Sequence, residues 1–405
     1  MNDEFDVVVV GGGMVGATLG CALGDSGLKV AVLEDSPPPP FDPAQPHDLR
    51  VSAVSVASAS ILKTVGAWHG IASRRLCPYR RMRVWETGEG VEFRSEDINE
   101  PVLGHIVENR VIQLAALERL EDFANVALLC PVKTRRIDYG AGGSTVELED
   151  GRVLKSRLLV AADGGYSRVR QIAGMGVAGW DYRHQAMVLT VDTAYGQEDI
   201  TWQRFTPAGP QAFLPLDGPH ASLVWYNSPE EVKRLKALPE DALLRELAET
   251  FPSCLGEIKT ITARGSFPLK RQHAQGYAKE GIALIGDAAH MIHPLAGQGV
   301  NIGLLDAAAL AETLIEAKRA GRDLGSLKVL NGYERMRRNN NLVMMTTMDL
   351  FYRVFGNAVP PLKLARNLGL GLAERLKPAK NLVMRYAMGV TGSLPKLARG
   401  EAIVG

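Results

Sequence analysis

Stretches with no polar side alternate with stretches of helical spacing along the first part of the chain. Residues 6–10 (DVVVV) predict a strand covered on both faces, because a valine run has no polar side to offer water. Residues 14–25 predict a helix and 28–33 (LKVAVL) a second strand, a βαβ unit of about 30 residues. Pro37 to Pro40 then break regular structure. A helix is expected over 52–66, a strand over 83–93, a helix over 108–121, and strands over 126–130 and 144–149 with a glycine turn between them. Residues 157–162 (RLLVAA) repeat the buried-strand pattern.

From about 180 to 270 the pattern shortens to alternating runs at 186–193, 211–216 and 221–226, which predict an antiparallel sheet, followed by a helix over 229–250. The buried strand returns at 281–285 (GIALI), and a long helix is expected over 299–320. The expected architecture is therefore α/β. A Rossmann-like nucleotide-binding domain (1–80, 105–178 and 272–345) is interrupted by a β-rich substrate domain (81–104 and 179–271), and a helical C-terminal region (346–405) follows.

Composition narrows this further. Of 405 residues, 46% are apolar and 22% charged, as in an ordinary globular protein, and a net charge of +1 gives no basic face for nucleic acid. The four cysteines contain no CxxC pair, so no metal site is expected and reduced thiols in a cytoplasmic protein fit best. The acidic N-terminus has no positive start ahead of its apolar run, unlike a signal peptide. Residues 7–24 are uncharged, but six of these 18 residues are glycine, which fits a strand and turn and not a membrane span. Residues 350–405 carry nine basic and two acidic side chains, net +7, whereas the preceding 349 residues, with 37 basic and 43 acidic, carry −6. With leucine and methionine at helical spacings, this tail reads either as a helical cap packed on the body or as basic amphipathic helices docking on an anionic membrane.

Three motifs carry the chemistry. Gly11-x-Gly13-x-x-Gly16 follows a strand and opens a helix: Gly11 allows the tight turn, Gly13 lets a pyrophosphate approach, and Gly16 lets helix and strand pack closely. The helix N-terminus then faces the phosphates. Glu34, 18 residues after Gly16 at the end of the second strand, is placed for a ribose hydroxyl pair and disfavours a 2′-phosphate, which points to FAD or NAD. Asp163-Gly164, followed by Arg168, ends another strand and is by itself compatible with an ordinary turn. Gly286-Asp287-Ala288-Ala289-His290, then Pro294, Gly297, Gln298, Gly299 and Asn301, places an acid and a second helix N-terminus at a strand end, where the helix can stabilise negative charge on a reduced flavin. His290 and His293 are candidate proton-transfer groups by proximity; loop packing is the other reading.

In this order and spacing the motifs resemble the flavoprotein aromatic hydroxylases of the para-hydroxybenzoate hydroxylase type, whose FAD-binding fold has the GR2 topology. Over nearly the whole chain the segments VVGGGMVGATLGCAL, LRVSAVSVAS, GHIVENRVIQ, LVAADGGYSRVRQ and IGDAAHMIHPLAGQGVNIG resemble the ubiquinone-biosynthesis hydroxylases. CPYRRMRVWE, TWQRFTPAGPQAFLPL and ASLVWYNSP look like the branch acting on 2-polyprenyl-3-methyl-6-methoxy-1,4-benzoquinol; His293 fits the sibling polyprenylphenol hydroxylase better. The resemblance implies FAD as cofactor, NADPH or NADH as co-substrate, dioxygen, and oxygen transfer through a flavin hydroperoxide. It implies that Asp287 meets the ribityl chain, that Pro294 to Gly299 lie against the flavin ring, that Asp163 and Arg168 sit near the pyrophosphate, that Arg50 lines the flavin, and that Arg110 and Gln113 contact FAD. Positioning carries such chemistry, so no nucleophile triad is expected and the catalytic group stays unassigned among His290, His293 and Pro294.

A prenyl chain of about 40 carbons costs on the order of 30 kcal/mol to expose to water, so the resemblance also implies that substrate is met at a membrane surface or within a ubiquinone-biosynthesis complex, with the enzyme cytoplasmic and peripheral at the inner membrane. Three other classes share part of the pattern. A flavin halogenase needs W-x-W-x-I-P, which is absent. A flavin-dependent prenyl reductase would use no dioxygen, and a non-catalytic lipid carrier would hold no flavin.

Overall fold

The computed structural model describes residues 2–87, 90–140, 142–196, 198–252, 256–292, 297, 299–355 and 377–404. Its first sheet is built on five parallel strands in the order Ile282–Leu284, Val153–Ala161, Asn2–Val10, Val30–Leu33 and Val126–Leu129. Val7, Val8 and Val9 are fully buried, as a central strand with both faces covered requires. The helices Met14–Ala22 and Gly299–Arg319 pack against one another and belong to the same core as the sheet.

Register brings the three motifs together. Val10 lies beside Leu33 and Ala161, and Ala161 beside Leu284. The Gly11 turn, Ala162-Asp163, Glu34 and Ile285-Gly286-Asp287 therefore all leave the carboxyl ends of neighbouring parallel strands, the crevice where open α/β sheets bind ligands.

The second sheet has eight strands in the order His290–Met291, Ile258–Ala274, Val177–Thr193, His220–Asn227, Gly209–Pro215, Ile200–Thr206, Arg81–Trp85 and Val91–Arg94. One face is closed by the helices Pro229–Ala237 and Glu240–Thr250 through Leu235, Leu243, Leu247 and Phe251. The other face looks toward the motif crevice. The strands Val177–Thr193 and Ile258–Ala274 are 17 residues each and pair along most of their length, so they extend from this sheet past 179 and 271 toward the nucleotide domain.

Local chemistry explains where elements differ from the sequence expectation. Residues 52–66 are not one helix: Val51–Ser55 is a strand paired with Gly104–Glu108, and the helix Val56–Thr64 starts only after Ser55, whose hydroxyl caps the Ser58 N–H. The expected helix over 229–250 is two. Ser228 caps the first, with Pro229 and two glutamates in its opening turn, and Leu238 is extended because Pro239 disfavours helical backbone before it. The strand expected over 83–93 is a hairpin of Arg81–Trp85 and Val91–Arg94.

The helix Leu327–Phe355 follows the nucleotide domain, and the helix Lys377–Ala387 packs Met384 and Met388 into an apolar cluster with Tyr79, Leu103 and Leu216. Lys380 donates to Glu92 C=O (2.9 Å), Arg385 to Ile98 C=O, Lys396 pairs with Glu312 and Glu316, and Arg399 with Glu401. These four of the nine tail cations are committed to intramolecular partners. No helix among the described residues is long and apolar enough to cross a membrane.

Candidate active site

The fingerprint glycines satisfy three different demands. Gly11 has φ +108°, and a Cβ on it would lie 2.4 Å from Ala162 O. A Cβ on Gly16 would fall 1.9 Å from Gly11 O, so glycine alone permits this helix–strand approach. Around Gly13 there is no atom within 4 Å of such a Cβ, and Gly13 lines an open cavity. No side chain caps the helix Met14–Ala22, which leaves its first amides free for an anionic ligand. Gln113 donates to Gly12 C=O (3.1 Å) and steadies the turn. Glu34 lies against Gly12, accepts from Ser36 N–H (3.0 Å), and is pushed above the ordinary carboxylate pKa by burial.

At the second motif Asp163 Oδ2 accepts from Val169 N–H (3.2 Å), while its buried Oδ1 has no hydrogen-bond partner. Arg168 donates to Thr134 C=O and is not part of the cavity wall. Arg170, which the sequence reading passed over, joins second and third motifs: its buried guanidinium donates to Ala288 C=O (2.7 Å) and Gly165 C=O (2.9 Å).

At the third motif Gly286 takes φ +59° and Asp287 faces the cavity. The carboxyl is accessible from the cavity yet surrounded by protein on its other sides. Burial raises its pKa above the ordinary value, against the opposing charges of His290 and Arg50. Gly297 (φ +62°) and Gly299 also line the cavity, at the start of the helix Gly299–Arg319. His293, Pro294 and Gln298 lie outside the described residues.

Three other predicted residues have partners inside the protein. Asn301 accepts from Ser55 N–H (2.9 Å) and donates to Ala53 C=O (2.9 Å), tying helix to strand. Arg110 is paired with Asp48 (2.9 Å) and reaches Pro40 C=O. His290 is 1% exposed, and its Nε2 lies 2.5 Å from Asp306 Oδ2, so it belongs to the scaffold beneath the turn. The same Asp306 carboxylate accepts from Gly286 N–H (3.2 Å), Arg337 Nε (2.8 Å) and Asn341 Nδ2 (2.9 Å), and Asn341 also donates to the Tyr277 hydroxyl (3.2 Å). Burial alone would raise the Asp306 pKa, but the charges of His290 and Arg337 and these hydrogen bonds hold it below the ordinary range.

Motif turns and second sheet enclose one cavity of about 430 Å³, within the usual span for small-molecule sites. Arg50 lines it and stacks over Phe267 (5.4 Å) from the sheet. Facing the turns are Ala186, Val188, Val224, Phe267 and Leu269, an apolar wall with few polar members. Amides for a pyrophosphate, a carboxylate for a ribose, and a helix start beside an apolar wall are the set that FAD requires, so the residues present fit that cofactor. Among the described residues no group of three His, Cys, Asp or Glu is placed to hold a metal.

Known proteins agree with this geometry. A family model described as an FAD binding domain matches residues 4–341. The 3-demethoxyubiquinol 3-hydroxylase of Escherichia coli is 43% identical over 390 residues, covering 96% of this chain and 100% of that protein. The ubiquinone hydroxylase UbiL of Rhodospirillum rubrum is 39% identical, covering 98% and 92%. Among solved structures, p-nitrophenol 4-monooxygenase PnpA from Pseudomonas putida superposes with a TM-score of 0.77 at 21% identity, covering 96% of this chain and 100% of that one. The chain belongs to the FAD-binding domain family and is an FAD-dependent aromatic hydroxylase.

Proposed function

We propose that this chain hydroxylates the ring of a polyprenylated benzoquinol in ubiquinone biosynthesis, consuming NADPH or NADH and dioxygen. The observation that carries the reading is the single cavity shared by the three FAD motifs and an apolar sheet wall, in a chain that matches a demethoxyubiquinol hydroxylase end to end. Bound FAD supplies two-electron redox chemistry and oxygen activation. Gly11 to Gly16 would hold its pyrophosphate and Asp287 its ribityl chain, and the helix start at Gly299 would offer amides to developing negative charge. The sheet wall excludes water and presses the substrate ring toward the cofactor. Asp306, Arg337 and Asn341 keep the Gly286–His290 turn in place.

The deciding experiment gives the purified yellow protein NADPH, dioxygen and a short-prenyl 3-methyl-6-methoxy-1,4-benzoquinol, with the matching prenylphenol in parallel. One oxygen atom from dioxygen is expected in the benzoquinol product by mass spectrometry. Oxygen in the prenylphenol alone assigns the sibling reaction, and NADPH consumption with reduction of prenyl double bonds overturns hydroxylation.

The described C-terminal surface supports peripheral membrane contact through apolar side chains more than through charge, because Lys380, Arg385, Lys396 and Arg399 have partners within the protein. Leu350 and Leu382 are 60% and 64% exposed on the two C-terminal helices. Replacing both with glutamate is expected to lower co-sedimentation with anionic liposomes at least about tenfold, since two buried leucines supply roughly 3–6 kcal/mol. Unchanged co-sedimentation removes the membrane role from this surface.

A further inference from the structure

Register decides which side chains of the second sheet look into the cavity. Gln203 on the strand Ile200–Thr206 pairs with Ala212, Ala212 with Val224, and Val224 with Val188. All four line the cavity, so one cross-strand row presents a single amide beside three small aliphatic side chains. On the adjoining strands Leu214 pairs with Ser222, and both line the cavity together with Thr201. Arg204, the next residue along the strand, points to the opposite face and donates to Thr250 C=O on the covering helix (2.8 Å), as strand alternation requires.

Gln203 is 9% exposed and lines the cavity. Thr201 Oγ1, on the same face of the strand, is buried and has no hydrogen-bond partner among the described residues. Leaving a buried hydroxyl unpaired costs about 1–3 kcal/mol, which a ligand oxygen at Thr201 would recover, and the amide beside it offers two donors and an acceptor. Nothing in the packing of this row requires an amide, because its neighbours are alanine and valine. Residues two apart on a strand share one face and lie about 6.7 Å apart, so the Thr201 hydroxyl and the Gln203 amide can both reach one ring. A ring entering the cavity meets carbon on most of the sheet wall and polar groups along this strand, so the oxygen substituents set its rotation.

We propose that Gln203, with the Thr201 hydroxyl beside it, is the specificity-determining contact that binds oxygen substituents of the substrate ring and thereby selects which ring carbon faces the flavin. The inference rests on the hydroxylase reading above and adds the residues that orient the ring. Rotation matters because hydroxylation occurs at the carbon nearest the cofactor, and a ring held loosely lets reducing equivalents be lost as hydrogen peroxide.

The test compares wild type, Gln203→Met, which keeps the volume, and Thr201→Val, all as FAD-loaded proteins. Substrate affinity is read from the change in flavin absorption on titration with the short-prenyl benzoquinol. Coupling is read as hydroxylated product per NADPH consumed, with hydrogen peroxide measured alongside. Gln203→Met is expected to keep one FAD per chain, to weaken quinol binding about tenfold to a hundredfold, and to shift NADPH consumption toward peroxide or toward a positional isomer. Thr201→Val is expected to move both readings the same way by less. A ring analogue lacking the methoxy and one hydroxyl should lose little affinity between wild type and Gln203→Met, which separates a polar contact from general damage. Wild-type affinity, coupling and product in both variants overturn the proposal alone. Wild-type enzyme that neither binds nor hydroxylates the quinol overturns the hydroxylase reading and the proposal together. Should Gln203→Met fail to fold, Thr201→Val with the analogue comparison still decides.

Discussion

Gly13→Ala is expected to give a folded, colourless protein. Gly13 has φ −67° and ψ −178°, which any residue adopts, and no atom lies within 4 Å of the position its Cβ would take. The added methyl therefore meets nothing in the protein, and the stability of the cofactor-free chain should stay within about 0.5 kcal/mol of wild type. The same methyl projects into the cavity where the pyrophosphate must approach the helix amides. Loss of that approach is expected to raise the FAD dissociation constant at least about 100-fold, roughly 2.7 kcal/mol, read as flavin bound per chain and by titration of apoprotein. Gly16→Ala supplies the contrast, because its Cβ would sit 1.9 Å from Gly11 O and must part helix from strand, so stability and FAD should be lost together. A Gly13→Ala protein that binds FAD as wild type does would place the phosphates elsewhere.

The parts of this site that were legible in the sequence are those in which local chemistry and position coincide. A valine run followed by glycine can hardly be other than a buried strand ending in a tight turn, and LLVAADG and IALIGD repeat the same grammar at neighbouring strand ends. Partner choice among buried side chains is a tertiary event, and there the reading stopped. His290 stands next to the cofactor loop in the sequence, but the chain turns it onto Asp306, 16 residues later. Asn301 and Arg110 likewise spend their polar atoms on Ala53 and Asp48. No periodicity announces that Arg337 and Asn341, on the next helix, complete that buried cluster, or that Arg170 links two motif turns. Gln203 escaped notice for a related reason: its isolation among small aliphatic side chains exists only once four strands are in register.

The buried cluster leads to the second large effect. Asp306→Ala is expected to destabilise the protein by about 3–5 kcal/mol, because it leaves the Arg337 guanidinium buried without its counter-charge. It also removes the acceptor that holds both Gly286 N–H and His290, so the turn carrying Asp287 loses its anchor at each end and flavin should dissociate on dilution. Asp306→Asn keeps the shape and one acceptor but not the charge, and should fall between alanine and wild type. The acid limb distinguishes charge from packing. Asp306 has its folded pKa held below the ordinary carboxylate value, so its contribution is fully present above the unfolded pKa of about 4 and is lost only as pH falls through the lower folded value. The difference in melting temperature between wild type and Asp306→Asn should therefore be flat from pH 8 to about 5 and should narrow only below about 4. A gap that narrows instead as pH rises through about 6.5 would trace the stabilisation to a protonated histidine, and an Asp306→Ala protein as stable and as yellow as wild type would mean that the turn stands without the cluster beneath it.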